Sequence, residues 1–219
     1  GGTRGISPLP FQNDSSTSRR AWAYLTENEY KTADEIVIDL IDAVSKNGVL
    51  LLNIGPRPDG TIDPTEGQLL EQIGEWMATN GEAIYGTRPW LVPGEGPTMP
   101  PAGSFTDTAP SAFTPEDIRF TTRGDTLYGA VLNLRPAATE VRIRSLATTL
   151  RLFDGDVAAV HLLGVDSELQ FRRATDGLIV SLPARPARPA RPGPSAVGVL
   201  RIDLRPAGPP PRAEPAIID

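Results

Sequence analysis

The sequence predicts an α/β unit followed by an all-β unit. Three observations carry this reading. Apolar residues recur at helical spacing over 33–44 and again over 69–77; a continuous apolar run, Val49–Leu52, stands between them; and the pattern changes to period two beyond a Pro/Gly-rich stretch at 93–110. At 219 residues the chain can hold one large or two small domains around a real core.

Taken in order, residues 1–18 are rich in Gly, Pro, Ser, Asn and Asp, with Phe11 their only aromatic, and read as a loop. Ala21-Trp22-Ala23-Tyr24 brings two aromatics together in a segment too short for a regular element. Thr32 and Glu35 form a capping box ahead of a stripe of Ala33, Ile36, Val37, Leu40, Ile41 and Val44. Asn47-Gly48 supplies a left-handed exit from this helix. The strand Val49–Leu52 is apolar on both faces, which places it in the middle of a covered, parallel sheet. A second helix opens with Asp63 as N-cap, Pro64 at its first position and Glu66 completing the box. It buries Leu69, Leu70, Ile73, Trp76 and Met77, and ends at Asn80-Gly81. Residues 1–93 thus read α-β-α, the tail of a larger α/β domain.

Residues 94–112 read as a linker, and 113–205 as an antiparallel sandwich. Val141, Ile143 and Ser145 alternate with Glu140, Arg142 and Arg144; Leu200, Ile202 and Leu204 alternate with Arg201 and Asp203; Leu169 and Phe171 alternate with polar neighbours. Leu127–Leu134, Val157–Leu163 and Leu178–Leu182 add further strands. Ala184–Pro192 repeats Ala-Arg-Pro, so a polyproline II helix would line Arg185, Arg188 and Arg191 on one edge; a solvated hairpin loop is the simpler reading. The proline-rich tail 206–219 is expected to be disordered.

A net charge of -6 argues against nucleic acid as partner and suits a neutral ligand such as a carbohydrate. The absence of cysteine excludes disulfides and thiolate zinc sites, a lone His161 is a poor metal site, and no cofactor is implied. No apolar run approaches the roughly 20 residues of a membrane span. The first residues, Gly1-Gly2-Thr3-Arg4-Gly5, carry neither methionine nor a signal peptide, so a fragment is expected, with any targeting signal outside it.

Ser45-Lys46-Asn47-Gly48 through Asp59-Gly60-Thr61-Ile62, and Asn80-Gly81-Glu82-Ala83-Ile84-Tyr85-Gly86-Thr87-Arg88-Pro89-Trp90, closely resemble the α-L-fucosidases of glycoside hydrolase family 29. Glu116–Thr122 and Leu162-Leu163-Gly164 resemble that family's C-terminal β-sandwich. The resemblance implies the C-terminal βα portion of a (β/α)8-like barrel followed by the sandwich. A whole barrel takes about 250 residues. It also implies a retaining exo-glycosidase that releases terminal L-fucose, with a fucosylated oligosaccharide or glycoconjugate as partner and an extracellular or periplasmic place of work. Such enzymes use two carboxyl groups about 5 Å apart. The family's aspartate nucleophile lies upstream of the matching region, so no catalytic residue is assigned and the chain alone is expected to be inactive. Where one branch of the family carries Glu-Arg-Gly, this sequence has Thr3-Arg4-Gly5, which admits either a decayed homologue or an altered terminus.

Trp22 matches an aromatic that packs against the sugar near its C5 methyl group; a tryptophan packed between loops is the competing reading. Gln12 and Asp14 sit in a stretch resembling a Trp/Phe-Gln-Thr-Asp loop of the branch acting on α-1,3/1,4 linkages, and each is a candidate for a sugar hydroxyl. An Asx turn competes for Asp14. Asn53 ends the buried strand, where barrel enzymes place site residues, or else satisfies the backbone of the following turn. Glu82, Tyr85, Arg88 and Trp90 read as a seam between the two units. A second functional class remains open, a carbohydrate-binding or structural sandwich using Phe153, Tyr128 or Phe171.

Overall fold

A computed structural model describes residues 5–98, 112–135, 137–183 and 196–207. The expectations for Thr3, for most of the linker, for the Ala-Arg-Pro repeat and for the tail beyond Ala207 lie outside these residues.

The first element corrects the sequence reading. Phe11–Ser16 is a strand, β1, rather than loop. It pairs in parallel with β2 (Gly48–Asn53), Phe11 opposite Gly48 and Ser16 opposite Asn53. The polar run carries no strand pattern of its own; the partner strand imposes the conformation. A side chain at Gly48 would stand 2.6 Å from the Phe11 ring, so the ring seats there only because the position is glycine.

Helix α1 (Ala33–Ser45) connects the two strands, and both halves of its Thr32/Glu35 capping box are made. Asn47, at φ 75°, turns the chain from the helix into β2. Two apolar faces of α1 are used. Ala33 and Ile36 meet Leu50, Leu52 and Leu69, while Val37 and Ile41 turn toward the antiparallel half of the molecule. Each fully buried side chain of this size stabilises the fold by about 1.5–3 kcal/mol. The opposite face of β2 is not covered among the described residues: Val49 is 56% and Leu51 51% exposed. The expected two-sided burial is therefore met on one side.

Helix α2 (Pro64–Asn80) starts as expected, with the Asp63 carboxylate accepting from the Thr65 backbone N–H at 2.9 Å. Glu66 is a correction. It does not close a capping box but lies fully buried, accepting from the Thr17 hydroxyl and from the Gly55 N–H at 3.2 Å. The first turn of α2 faces the segments leaving β1 and β2, and their donors take the carboxylate inward. At its other end α2 runs into a 3₁₀ turn, Gly81–Ala83, and the left-handed position comes later, at Gly86 (φ 69°).

Eight antiparallel strands follow: β3 (Arg88–Glu95), β4 (Ile118–Arg123), β5 (Thr126–Val131), β6 (Glu140–Ile143), β7 (Gly155–Leu162), β8 (Phe171–Ala174), β9 (Gly177–Ser181) and β10 (Gly198–Pro206). They form a five-stranded sheet, β3-β4-β5-β10-β7, and a three-stranded sheet, β6-β9-β8. One apolar cluster draws on both sheets, including Phe120, Leu127, Ile143, Leu178 and Ile202, with Trp90 edge-on to Phe120 at 5.2 Å between ring centres. The alternation expected through Ser145 stops at Ile143. Arg144–Leu146 form a 3₁₀ turn because the Glu95 carboxylate accepts from the N–H groups of Arg144 and Ser145, at 2.7 and 2.6 Å.

The two halves share a second core. Val37, Ile41, Trp76 and Ala83 pack against Tyr128, Ala130, Leu132, Val197 and Val199. Trp76 Nε1 donates to the Val197 carbonyl at 3.1 Å, and the Thr121 hydroxyl to the Ala83 carbonyl at 2.7 Å. Asp42 accepts from Arg119 Nε at 2.7 Å and from Lys46 Nζ at 2.6 Å, all three largely buried. Of the residues read as a seam, Trp90 belongs instead to the core between the sheets. Tyr85 is exposed, and its carbonyl accepts from Arg123 at 3.4 Å.

Candidate functional site

In a parallel pair, residues in register point to the same side. The register of β1 and β2 therefore puts Gln12, Asp14 and Ser16 on one face with Val49, Leu51 and Asn53, the face turned away from α1. Gln12 Nε2 donates to Asp14 Oδ1 at 2.8 Å, and both residues are exposed. Asp14 is thus part of the strand, not an Asx turn.

Beyond the C-terminal ends of both strands lies the loop that carries Trp22. Its base is closed by a bridge between Ser18 and Tyr30, with Lys31 N–H to Thr17 carbonyl at 2.8 Å and Arg19 N–H to Glu29 carbonyl at 2.9 Å. Its interior is organised by short hydroxyls. Ser18 Oγ accepts from the N–H groups of Arg20 and Ala21, at 3.1 and 3.2 Å, and donates to Asn28 at 2.6 Å. Ser16 Oγ donates to the Ala21 carbonyl at 3.1 Å. Asn53 Nδ2 then reaches across from β2 to Ser16 Oγ at 3.3 Å and to the Trp22 carbonyl at 2.9 Å. Asn53 satisfies loop backbone, as one reading expected, but the loop is that of Trp22 and not the turn that follows Asn53. Trp22 is 50% exposed.

Arg19 adds an electrostatic tie. Its guanidinium bonds both oxygens of Glu35 at 2.6–2.7 Å, and Glu35 also accepts from the Thr32 N–H at 2.7 Å. Burial pushes the Glu35 carboxyl up, yet Arg19 and the Thr32 donors outweigh it and hold the group below its ordinary range. The capping box that starts α1 thereby anchors the stem of the Trp22 loop.

The structure joins two of the four sequence candidates, Asn53 and Trp22, at the C-terminal end of the strand pair. Asp14 and Gln12 share the sheet face of Asn53 but lie two and four residues back from Ser16, toward the start of β1. A half-exposed tryptophan can offer its flat apolar face to the apolar side of a polyhydroxylated ring. Among the described residues, no group of three or more His, Asp or Glu side chains could hold a metal ion. Sequence reasoning passed over Ser16, Ser18 and Glu66. The available signal was the run Ser15-Ser16-Thr17-Ser18, four consecutive short hydroxyl residues, all of them buried. The aromatics of the alternative reading offer little outer surface: Tyr128 is buried, and Phe153 and Phe171 pack against the core.

Comparisons with known proteins bear out the resemblance. Residues 2–82 match the family model described as alpha-L-fucosidase. The tissue alpha-L-fucosidase of Mus musculus is 30% identical over 174 residues, covering 77% of this chain and 33% of that protein. The plasma alpha-L-fucosidase of Homo sapiens is 41% identical over 88 residues, covering 39% of this chain and 19% of that protein. The structure of the Thermotoga maritima alpha-fucosidase in complex with fucose superposes with a TM-score of 0.67 at 24% identity, over 90% of this chain and 40% of that one. The chain spans about a third of the length of the tissue enzymes it matches.

Proposed function

We propose that this chain, whose residues 2–82 belong to the α-L-fucosidase family, supplies the fucose-binding edge and the C-terminal support of a retaining α-L-fucosidase. In this reading β1 and β2 are neighbouring strands of a (β/α)8-like barrel whose remaining strands cover Val49 and Leu51. The antiparallel sheets form the C-terminal sandwich. Trp22 lays its indole against the apolar side of fucose, around the C5 methyl group, and Gln12 and Asp14 bind hydroxyls. The family's nucleophile lies upstream of the matching region and the position of the acid/base is not assigned, so these residues are given binding and orienting roles only. The substrate class is a fucosylated oligosaccharide or glycoconjugate, with α-1,3/1,4 linkages favoured by the Gln12–Asp14 stretch.

The observation that supports this reading is the Asn53–Trp22 contact, which holds the Trp22 backbone beyond the C-terminal ends of two parallel strands, the end at which enzymes of this architecture bind substrate. The test is hydrolysis of an aryl α-L-fucoside by the complete open reading frame and by the 219-residue chain. The expected result is turnover by the former only, with KM raised by Trp22→Ala. No turnover by the complete protein, or turnover indifferent to Trp22, would overturn the reading.

A further inference from the structure

We infer that Glu66 is a positioning residue that fixes the Trp22 loop, acting through the two chain segments that leave β1 and β2. Glu66 is fully buried in the first turn of α2. One of its oxygens, Oε1, accepts from both the Thr17 hydroxyl and the Gly55 N–H.

Thr17 is the first residue after β1. Its N–H donates to the Asn53 carbonyl at 3.1 Å, and its carbonyl accepts from Lys31 at the base of the Trp22 loop. Gly55 lies two residues beyond β2 against the other side of that loop. A side chain there would stand 3.1–3.2 Å from the backbone of Ala23 and Tyr24, the two residues that follow Trp22. A single buried acceptor thus holds the root of the loop and the segment that backs its tip.

The second oxygen, Oε2, is buried without a hydrogen-bond partner among the described residues. A carboxylate in that state is costly, and a leucine would fill the space against α2 with no such cost. What leucine cannot do is accept two hydrogen bonds at one point. The amide oxygen of glutamine can, so Glu66→Gln separates acceptor geometry from charge.

That Trp22 meets sugar rests on the proposed function; that Glu66 holds its loop does not. The experiment compares hydrogen exchange in the wild-type chain, Glu66→Gln and Glu66→Leu. In Glu66→Leu, amides in 17–31 and 53–60 are expected to exchange about tenfold faster or more, with 118–131 unchanged. Iodide quenching of the exposed Trp22, with Trp22→Phe as blank, should rise in the same variant. Glu66→Gln should match the wild type in both measurements. Should Glu66→Leu fail to fold, Thr17→Val, which removes one donor, is expected to give the same local increase.

Unchanged loop exchange in both Glu66→Leu and Thr17→Val, a uniform increase that includes 118–131, or glutamine behaving like leucine would each overturn the inference. In a separate arm, L-fucose is added to the complete open reading frame. Failure to shield Trp22 from iodide counts against the sugar reading, while the exchange results still decide the role of Glu66.

Discussion

Asn53, the last residue of β2, donates its side-chain amide to the carbonyl of Trp22 at 2.9 Å, so a strand end clamps the tip of a loop that belongs to the other strand. Asn53→Ala is expected to cost about 1 kcal/mol in urea unfolding, since the freed carbonyl remains within reach of water. Asn53→Asp should cost at least as much, because a carboxylate cannot donate and would face the carbonyl oxygen. An unchanged unfolding free energy in both variants would show that the clamp contributes nothing.

Trp22 itself should be nearly neutral for folding. Half its surface is open, and substitutions at such positions usually stay within about 0.5 kcal/mol. Under the proposed function, Trp22→Ala is expected to weaken L-fucose binding by about tenfold. Ligand-observed NMR of the complete protein measures the affinity, and denaturant unfolding supplies the control.

Asp117 predicts the acid behaviour of the antiparallel half. Its buried carboxylate accepts from the Thr98 N–H and hydroxyl, both at 2.8 Å, and from the Thr114 N–H and hydroxyl at 2.7 and 3.0 Å. Burial raises its pKa, but the Thr114 and Thr98 donors outweigh burial and hold it below the ordinary 3.8. A carboxyl with a depressed folded pKa stabilises the fold above its unfolded value and loses that contribution as pH falls through the folded one. Asp117→Ala should therefore cost about 2–3 kcal/mol at neutral pH. The gap between variant and wild type should narrow as pH falls below the ordinary 3.8 and through the lowered folded value. Urea titrations at neutral and acid pH check both; a gap that widens on acidification would contradict the assignment.

The Asp42 triad locks the seam. Asp42→Ala leaves Arg119 and Lys46 buried without their carboxylate, and is expected to cost about 3 kcal/mol or more. Replacing the set together, with Asp42→Leu, Arg119→Met and Lys46→Met, should cost far less, because no unpaired charge remains. Thermal and urea unfolding of the single and triple variants distinguish these outcomes.

Legibility in the sequence followed how local the cause of each element is. Helix α1 could be read to its cap because Thr32, Glu35 and the apolar stripe are all within one segment. Strand β2 announces itself by four apolar residues in a row. Strand β1 could not be read, since Gln12, Asn13, Asp14 and two serines are extended only because Gly48–Asn53 lies alongside. Glu66 misled for the same reason: an N-terminal glutamate three residues after Asp63 looks identical whether it turns back to the cap or inward to Thr17. The resemblance to fucosidases picked out Trp22, and its place at the end of a buried strand picked out Asn53, each without the other. Their hydrogen bond spans 31 residues and leaves no trace in local pattern.

Strand β3 runs into the Pro/Gly stretch and pairs with β4 as far as Glu95, and its Trp90 packs on Phe120. The compositional boundary at 94–112 is thus not a place where the molecule can be divided. A module cut there would keep β4 but lose the strand that covers its edge, together with one wall of the Phe120 site. Open edges of this kind recruit strands from neighbouring copies. A protein begun at residue 113 is expected to be adhesive, and a sugar-binding measurement on it would report the wound rather than the sheet.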